Sequence, residues 1–480
     1  MNFKDSKHIH LIGIGGINVS AIAKLLKAFD TQVSGSDVAT SDITRELEKE
    51  GIKISIGQKA ENITDDISLV IFSDAIPEDN VERQTAAQKN IRAISAFQFW
   101  GEYSQDKKVV AISGTNGKST TTAMLGLIME QAGMDPTVVV GTKVLQWNSN
   151  IRIGKSDWLV IEADEYHAHM LELNPLVAVL TNITPDHLDY YKDLDDIVAH
   201  FQKWIDRVPS SGGIVVNAQD EASQKLKLPN ALTRKYSVPR APLLAKEGMG
   251  EVGIRSAGLT VRSGHDSWAG YVAFNIVDDN EDWGKVEMRV PGLFNTSNAL
   301  AAAGAADILG IKHKHIIKAL DNFRGTWRRF ELVGEYNGAL VVSDYAHHPD
   351  GIKATLEAAR GWYPFKKIVV LFQPHQHNRT RKLFDDFVKS FGKCDELILA
   401  EIYDVAGRSS AEDKAVSSKD LAAAIQQIPS PSQGEGRVRV GYAPDLESAE
   451  VMVKEKVGKG DVLIVMGAGD VDKVARDLVG

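Results

Sequence analysis

The 480 residues contain one cysteine, Cys394, so no disulfide can form within the chain. No uninterrupted apolar run reaches the ~18 residues of a membrane helix, and no membrane span is expected. The opening MNFKDSKHIHLIGIGG has a single short apolar run that leads straight into glycines, without the longer apolar stretch and cleavage site of a signal peptide. Together these absences make the cytoplasm the expected compartment. Nor is there a block of basic residues. With 55 Lys+Arg against 64 Asp+Glu the net charge is −9, which argues against nucleic acid as the main partner. Anionic small ligands remain open, since they need only local positive groups.

What is present is ordinary globular material, 43% hydrophobic and 25% charged, enough for a buried core. At roughly 100–200 residues per domain, the length suggests about three domains. Short apolar runs alternate with helical stretches: His8–Ile14, Gln32–Ser36 and Leu69–Ser73 read as strands, with Ile17–Phe29 as a helix. Val109–Ser113, Trp158–Ala163 and Val177–Asn182 read as strands of a second unit. Leu340–Ser343, Ile368–Phe372, Glu396–Ala400 and Val462–Met466 read as strands of a third. Strands alternating with helices imply parallel sheets. The expected fold is α/β in three domains: a Rossmann-like unit over 1–104, a P-loop unit over 105–324 and a second Rossmann-like unit over 325–480. The region 230–290 has shorter alternating runs and could be antiparallel. Residues 296–310 are alanine-rich and read as helix, and Pro429–Gly436 reads as a low-complexity loop.

The strongest single motif is Gly114-Thr115-Asn116-Gly117-Lys118-Ser119-Thr120. It follows a strand and precedes a helix, as a phosphate-binding loop must. Glycines let backbone N–H groups approach phosphate, and the helix N-terminus adds partial positive charge. Lys118 can bridge the β- and γ-phosphates of a nucleotide, and Ser119 can offer its hydroxyl to Mg²⁺. Ile112 stands where the longer form of the loop has its first glycine, so this is the short form.

Two acidic segments follow at successive strand ends, Glu162-Ala163-Asp164-Glu165 and Asn182-Ile183-Thr184-Pro185-Asp186-His187. Mg²⁺ wants oxygen ligands, and carboxylates at the C-terminal ends of parallel strands point into the ligand crevice. An earlier glycine turn, Gly13-Ile14-Gly15-Gly16-Ile17-Asn18, follows the first strand, and Asp37 ends the second. Read by itself, this fragment suggests a dinucleotide oxidoreductase or sensor; beside a separate phosphate loop it suits a second diphosphate ligand, such as a UDP-sugar. Near the C-terminus, Arg328-Arg329, Ser343-Asp344-Tyr345-Ala346-His347-His348 and Gln373-Pro374-His375-Gln376-His377-Asn378-Arg379 stand out. The arginine fork suits phosphate and carboxylate. Adjacent His347 and His348 would face opposite ways if extended, so they read as substrate-positioning groups rather than paired metal ligands.

The ordered set GIGG, SGSD, GTNGKST, EADE, NITPDH, RRFE, DYAHHP, FQPH and VMGAGD resembles the Mur ligases across nearly the whole chain. The resemblance implies an ATP-dependent, amide-bond-forming ligase of peptidoglycan synthesis, with separate domains for a UDP-sugar, ATP and an amino acid. It implies UDP-N-acetylmuramate as acceptor and L-alanine as the amino acid, joined through an acyl phosphate. Lys118, Glu162, His187 and Arg329 would be catalytic. Gly114, Thr115, Asn116, Gly117, Lys118, Ser119, Thr120, Asn298, Arg329 and Asp344 would bind ATP. Mg²⁺ would lie at Ser119, Glu162 and His187. Gly13, Gly15, Gly16, Asp37 and Ser73 would hold the UDP portion, and Tyr345, His347 and Arg379 the amino acid. The chain departs from the family pattern at Asn18, Ala301, Trp327, Ser343 and Gln376. Gln376 replaces an arginine near the expected carboxylate site, which keeps a ligase that adds a preformed tripeptide open as the alternative.

Overall fold

The structure is a computed structural model that describes residues 6–187, 190–238, 259–262, 272–278, 281–404, 415–427 and 438–480. The segment Pro429–Gly436 lies outside the described residues. Three sheets form in chain order. The first comprises β1 (His8–Ile12), β2 (Gln32–Asp37), β3 (Lys53–Ile56), β4 (Leu69–Phe72) and β5 (Arg92–Ser95), in the order β3-β2-β1-β4-β5. All its pairs are parallel. Strand order reverses between β1 and β4, so a crevice opens there at the C-terminal strand ends.

Among the described residues the second sheet has ten strands: β6 (Lys108–Ser113), β7 (Thr137–Val144), β8 (Ser149–Arg152), β9 (Trp158–Glu162), β10 (Val177–Leu180), β11 (Gly213–Asn217), β12 (Leu232–Tyr236), β13 (Leu259–Arg262), β14 (Val272–Asp278) and β15 (Glu281–Met288). Their order is β15-β14-β13-β12-β11-β10-β6-β9-β7-β8. The antiparallel expectation for 230–290 holds where β13 pairs with β14, whereas β12 and β13 run parallel. The third sheet comprises β16 (Glu331–Tyr336), β17 (Ala339–Asp344), β18 (Ile368–Phe372), β19 (Glu396–Ala400), β20 (Arg439–Ala443) and β21 (Val462–Met466), in the order β16-β17-β21-β18-β19-β20. Only the edge strand β16 pairs antiparallel. This is the expected α/β class, with mixed sheets dominated by parallel strands. The central strands β1, β18, β19 and β21 are buried at every residue, as strands covered by helices on both faces must be.

The chain divides into two compact units, with a boundary between Phe323 and Arg324. In the first unit one apolar cluster runs from Ile9, Leu11 and Leu25 through Phe99 and Trp100 to Met170, Leu173 and Phe201, so the first two sheets share a core. Burying each such side chain contributes ~1.5–3 kcal/mol. Polar contacts reinforce the junction. Asn150 donates to the Ile17 carbonyl at 2.6 Å, and Glu46 takes Lys24 at 2.6 Å and Lys143 from the second sheet. Helix Ala96–Ser104, which carries Trp100, starts at a capping box of Ser95 and Gln98 that satisfies two otherwise orphan N–H groups. Among the described residues no helix is long and apolar enough to cross a membrane.

Candidate active site

β6 lies between β10 and β9, so three strand ends meet: the phosphate loop after Ser113, the acidic run beginning at Glu162, and the segment from Thr181. The loop needs its glycines. Gly114 has φ 130°, and a Cβ there would meet Thr181 Oγ1 at 2.2 Å; Gly117 has φ 88°, and a Cβ would meet Asn298 Oδ1 at 2.3 Å. Asn298, expected among the ATP-binding residues, thus lies against the loop itself. Helix Lys118–Gln131 follows Gly117 directly, with its first-turn N–H groups at the loop. The neighbouring strand end splints the loop. Thr115 N–H donates to the Asn182 carbonyl at 3.0 Å and Asn116 N–H to Asn182 Oδ1 at 3.1 Å. Asn182 Nδ2 and Thr181 Oγ1 donate to the Asn116 carbonyl at 2.9 and 2.6 Å. Reading NITPDH for its acid and histidine misses this role of Thr181 and Asn182.

Lys118 Nζ donates to the Gly114 carbonyl at 2.7 Å and pairs with both oxygens of buried Glu165 at 2.9 and 2.8 Å. Burial alone would lower its pKa, but Glu165, Asp164 and Glu162 outweigh it and hold the ammonium above the ordinary lysine value. Burial pushes the Glu165 carboxyl up, against the pull of Lys118. Ser119 Oγ donates to Glu162 Oε2 at 3.0 Å, and the Gly141 N–H donates to Glu162 Oε1. His187 takes φ 53°, packs its ring 4.4 Å from Tyr166 and brings Nε2 to 3.9 Å from Glu165 Oε1. Thr120 is buried in the first helical turn. Neighbouring hydroxyl and carboxylate oxygens fit a hard divalent cation such as Mg²⁺. Among the described residues no three His, Cys, Asp or Glu groups form a metal centre by themselves, so a cation here would complete its shell with phosphate and water.

A cavity of about 170 Å³ opens beside Lys118 and Glu162 and extends to Ile17, Asn18, Phe97 and Trp100. It joins the second sheet's strand ends to the glycine turn of the first. There, Gly13 N–H donates to the Ser36 carbonyl at 2.9 Å, Gly15 N–H to Asp37 Oδ2 at 2.8 Å and Gly16 N–H to the Gly13 carbonyl at 3.0 Å. Ser73 sits across the β1–β4 crevice, 3.0 Å from where a Gly13 Cβ would be. Beneath this turn lies a group with no motif signal, the fully buried Glu82. It accepts from Ser36 Oγ, Asn62 Nδ2 and the Lys59 N–H. Burial would raise its pKa, but His10, Ser36 and Asn62 hold it below the usual carboxylate range.

In the second unit, β17, β21 and β18 end together. Asp344 accepts from the N–H groups of Phe330 at 2.7 Å and Ala346 at 2.8 Å, and from Thr355 Oγ1 at 3.3 Å, so it anchors the arginine pair from behind. Burial raises its pKa against the pull of Arg329. The Arg329 guanidinium lies 5.1 Å from the Tyr345 ring centre. His347 packs 5.3 Å from Tyr345 and 6.1 Å from His375, and Arg379 reaches the His375 carbonyl at 3.4 Å. His348 is instead the N-cap residue of helix Pro349–Trp362. Burial, Arg379 and Arg329 push His347 down from 6.5 to about 3. Below pH 6.5 the unfolded chain therefore takes up a proton that the folded chain refuses. The stability this neutral imidazole contributes is present above pH 6.5 and is lost as pH falls towards 3. Urea titrations of His347→Gln should show a shallower loss of stability between pH 6.5 and 4.5 than the parent; parallel losses would refute the assignment.

Three family models match along the chain: the Mur ligase family catalytic domain at 8–108, the Mur ligase middle domain at 112–306, and the Mur ligase glutamate ligase domain at 328–469. The chain belongs to the Mur ligase family. It is 38% identical over 472 residues to the UDP-N-acetylmuramate–L-alanine ligase of Clostridium acetobutylicum, covering 98% of this chain and 97% of the relative. It is 39% identical to the protein of the same name from Acetivibrio thermocellus, covering 98% and 95%. Among solved structures it resembles the UDP-N-acetylmuramate-alanine ligase of Thermotoga maritima, with TM-score 0.80, 26% identity and coverage of 99% and 98%. It shares its fold with a murein peptide ligase of Psychrobacter arcticus, with TM-score 0.70, 23% identity and coverage of 98% for each. Several positions where this Mur ligase departs from the family pattern have local partners. Asn18 accepts from Trp100 Nε1 at 2.6 Å, Ser343 Oγ donates to Asp472, and Trp327 lies 5.7 Å from the Arg328 guanidinium. Ala301 is fully buried, and Gln376 is buried with φ 71°.

Proposed function

We propose that this Mur ligase joins L-alanine to UDP-N-acetylmuramate in peptidoglycan synthesis, in the cytoplasm, with hydrolysis of ATP to ADP and phosphate. The observation that carries the reading is the cavity shared by Lys118 and Glu162 at one end and the glycine-turn helix at the other. It suits an acceptor whose diphosphate rests at Gly13, Gly15, Gly16 and Ser73 while its lactyl carboxylate reaches the phosphate loop. That carboxylate attacks the γ-phosphorus, the bond from the γ-phosphorus to the bridging oxygen breaks, and ADP departs to leave an acyl phosphate. The amine of alanine then attacks the acyl carbon, and the tetrahedral adduct collapses to amide and phosphate. Phosphoryl transfer of this kind is served by positioning and charge neutralisation. Loop amides and Lys118 would bind the ATP phosphates. Ser119, Glu162 and His187 would hold Mg²⁺, which neutralises phosphate charge when bound. Arg329 would contact the transferring phosphoryl group, and Tyr345, His347 and Arg379 would receive the amino acid.

Phosphate release on UDP-N-acetylmuramate with a panel of amino acids and the L-alanyl-γ-D-glutamyl-diaminopimelate tripeptide tests the reading. The expected result is ATP-dependent release that requires L-alanine. Release only with the tripeptide would favour the second reading, for which the absence of an arginine at Gln376 speaks. Release with neither would overturn both. Glu162→Gln should lower kcat at fixed Mg²⁺ at least tenfold and raise the Mg²⁺ requirement, while calorimetric affinity for UDP-N-acetylmuramate stays within about threefold, the gap expected of a carboxylate working on charge at the phosphates. Equal losses in both would mean that Glu162 serves the acceptor instead.

A further inference from the structure

No sequence motif singles out His169. It follows the EADE run in the 3₁₀ segment Tyr166–Glu172, where His167 and Ala168 adopt φ of 50° and 57°. Its ring stacks on Phe97 with centres 3.8 Å apart and planes 14° apart. Its Nε2 lies 3.4 Å from Asp74 Oδ1 and its Nδ1 3.7 Å from Asp164 Oδ2, within ion-pair range though longer than good hydrogen bonds. Each partner belongs to a different part of the site. Asp74 follows Ser73 at the end of β4, and Phe97 lies on the helix that follows β5. Asp164 is one of the charges that hold Lys118 protonated. The imidazole also lines the cavity shared with Lys118 and Glu162, and only 14% of its side chain is exposed.

We propose that His169 is a positioning residue for the acceptor: by bridging Asp74 and Asp164 it fixes the nucleotide-sugar loop relative to the phosphoryl-transfer residues and so sets where the acceptor carboxylate comes to rest. The inference rests on the proposed ligase reading. Burial would lower the imidazole's pKa, but Asp164 and Asp74 hold it up to about 9, so the bridge is a cation between two carboxylates near neutral pH. Remove that cation and the two carboxylates face each other uncompensated across the cavity wall. Stacking on Phe97 supplies the orientation, since it fixes the ring plane along which both nitrogens point.

Calorimetric titration of UDP-N-acetylmuramate without ATP, paired with steady-state kinetics, tests this. His169→Gln should weaken acceptor binding about tenfold and raise its KM in step, with the ATP KM within about twofold of the parent. Asp74→Asn should produce a similar loss and add little in the His169→Gln background, because both break one bridge. His169→Lys, which keeps a cation, should recover part of the affinity, whereas a merely structural role would leave it no better than Gln. Unchanged acceptor affinity, an equal rise in the ATP KM, or additive losses with Asp74→Asn would overturn the inference while leaving the ligase reading intact. Should His169→Gln melt far below the parent, the Asp74→Asn titration decides between the same outcomes. No acceptor binding by the parent protein would remove the ligase reading and this inference with it.

Discussion

Lys118→Ala should lose at least ~99% of turnover, because removing a preorganised donor at developing charge costs ~3 kcal/mol or more. It should also lose stability, which sets it apart from a surface lysine. Lys118 and Glu165 form a pair whose side chains are only 18% and 5% exposed. Removing one partner of a buried pair leaves a desolvated charge and typically costs ~3–5 kcal/mol. The two effects can be separated. Lys118→Met with Glu165→Gln removes both charges, keeps the volumes and should restore most of the melting temperature without restoring turnover. Thermal melts and phosphate release on the single and double variants measure this. Turnover within tenfold of the parent in Lys118→Ala, or recovery of activity in the double variant, would show that the ammonium does not serve the phosphates.

Much of this arrangement could be read in the sequence, for an identifiable reason. Strands β18, β19 and β21 coincide with the expected ranges because β18 and β21 are five-residue apolar runs and β19 a four-residue one after Glu396, each bounded by polar or glycine positions, the least ambiguous pattern a parallel strand offers. The phosphate loop could be read because its glycines are required by local geometry: at Gly114 and Gly117 any side chain would strike Thr181 or Asn298. Strands such as β3, β5 and β20, at sheet edges and half exposed, carry too few apolar residues to stand out from their surroundings. The pairings within the site were equally hidden. Glu165 as the partner of Lys118, Asn182 as the splint of the loop and Glu82 beneath the glycine turn all depend on which strands lie side by side. Strand order is set by packing across the whole sheet, and no local spacing records it. The motif residues could be named, but what each would touch could not.

The second large effect concerns the incoming amino acid. Arg379→Ala should raise the amino-acid KM at least tenfold and leave the ATP KM nearly unchanged. Arg379 lies on the short helix His377–Lys382, one turn after Gln376, the position where the family pattern has an arginine. Gln376 cannot compensate: it is neutral and buried, and its backbone N–H is committed to the Tyr403 carbonyl at 2.9 Å. Arg379 is near enough to His347 to depress its pKa, so its positive field already reaches the pocket formed with Tyr345. Hydrogen bonds to a charged group contribute ~1.5–3 kcal/mol, roughly ten- to a hundredfold in affinity, and a single guanidinium should account for most of that here. Arg379→Lys should recover only part of the loss, because a point charge cannot reproduce two parallel bonds to a carboxylate. Arg329→Ala provides the contrast: it should lower kcat, with a smaller effect on the amino-acid KM. Steady-state kinetics with L-alanine as the varied substrate measure all three variants. An unchanged KM in Arg379→Ala, or full recovery by lysine, would mean that the carboxylate of the amino acid is held elsewhere, with Arg329 beside Tyr345 the next candidate.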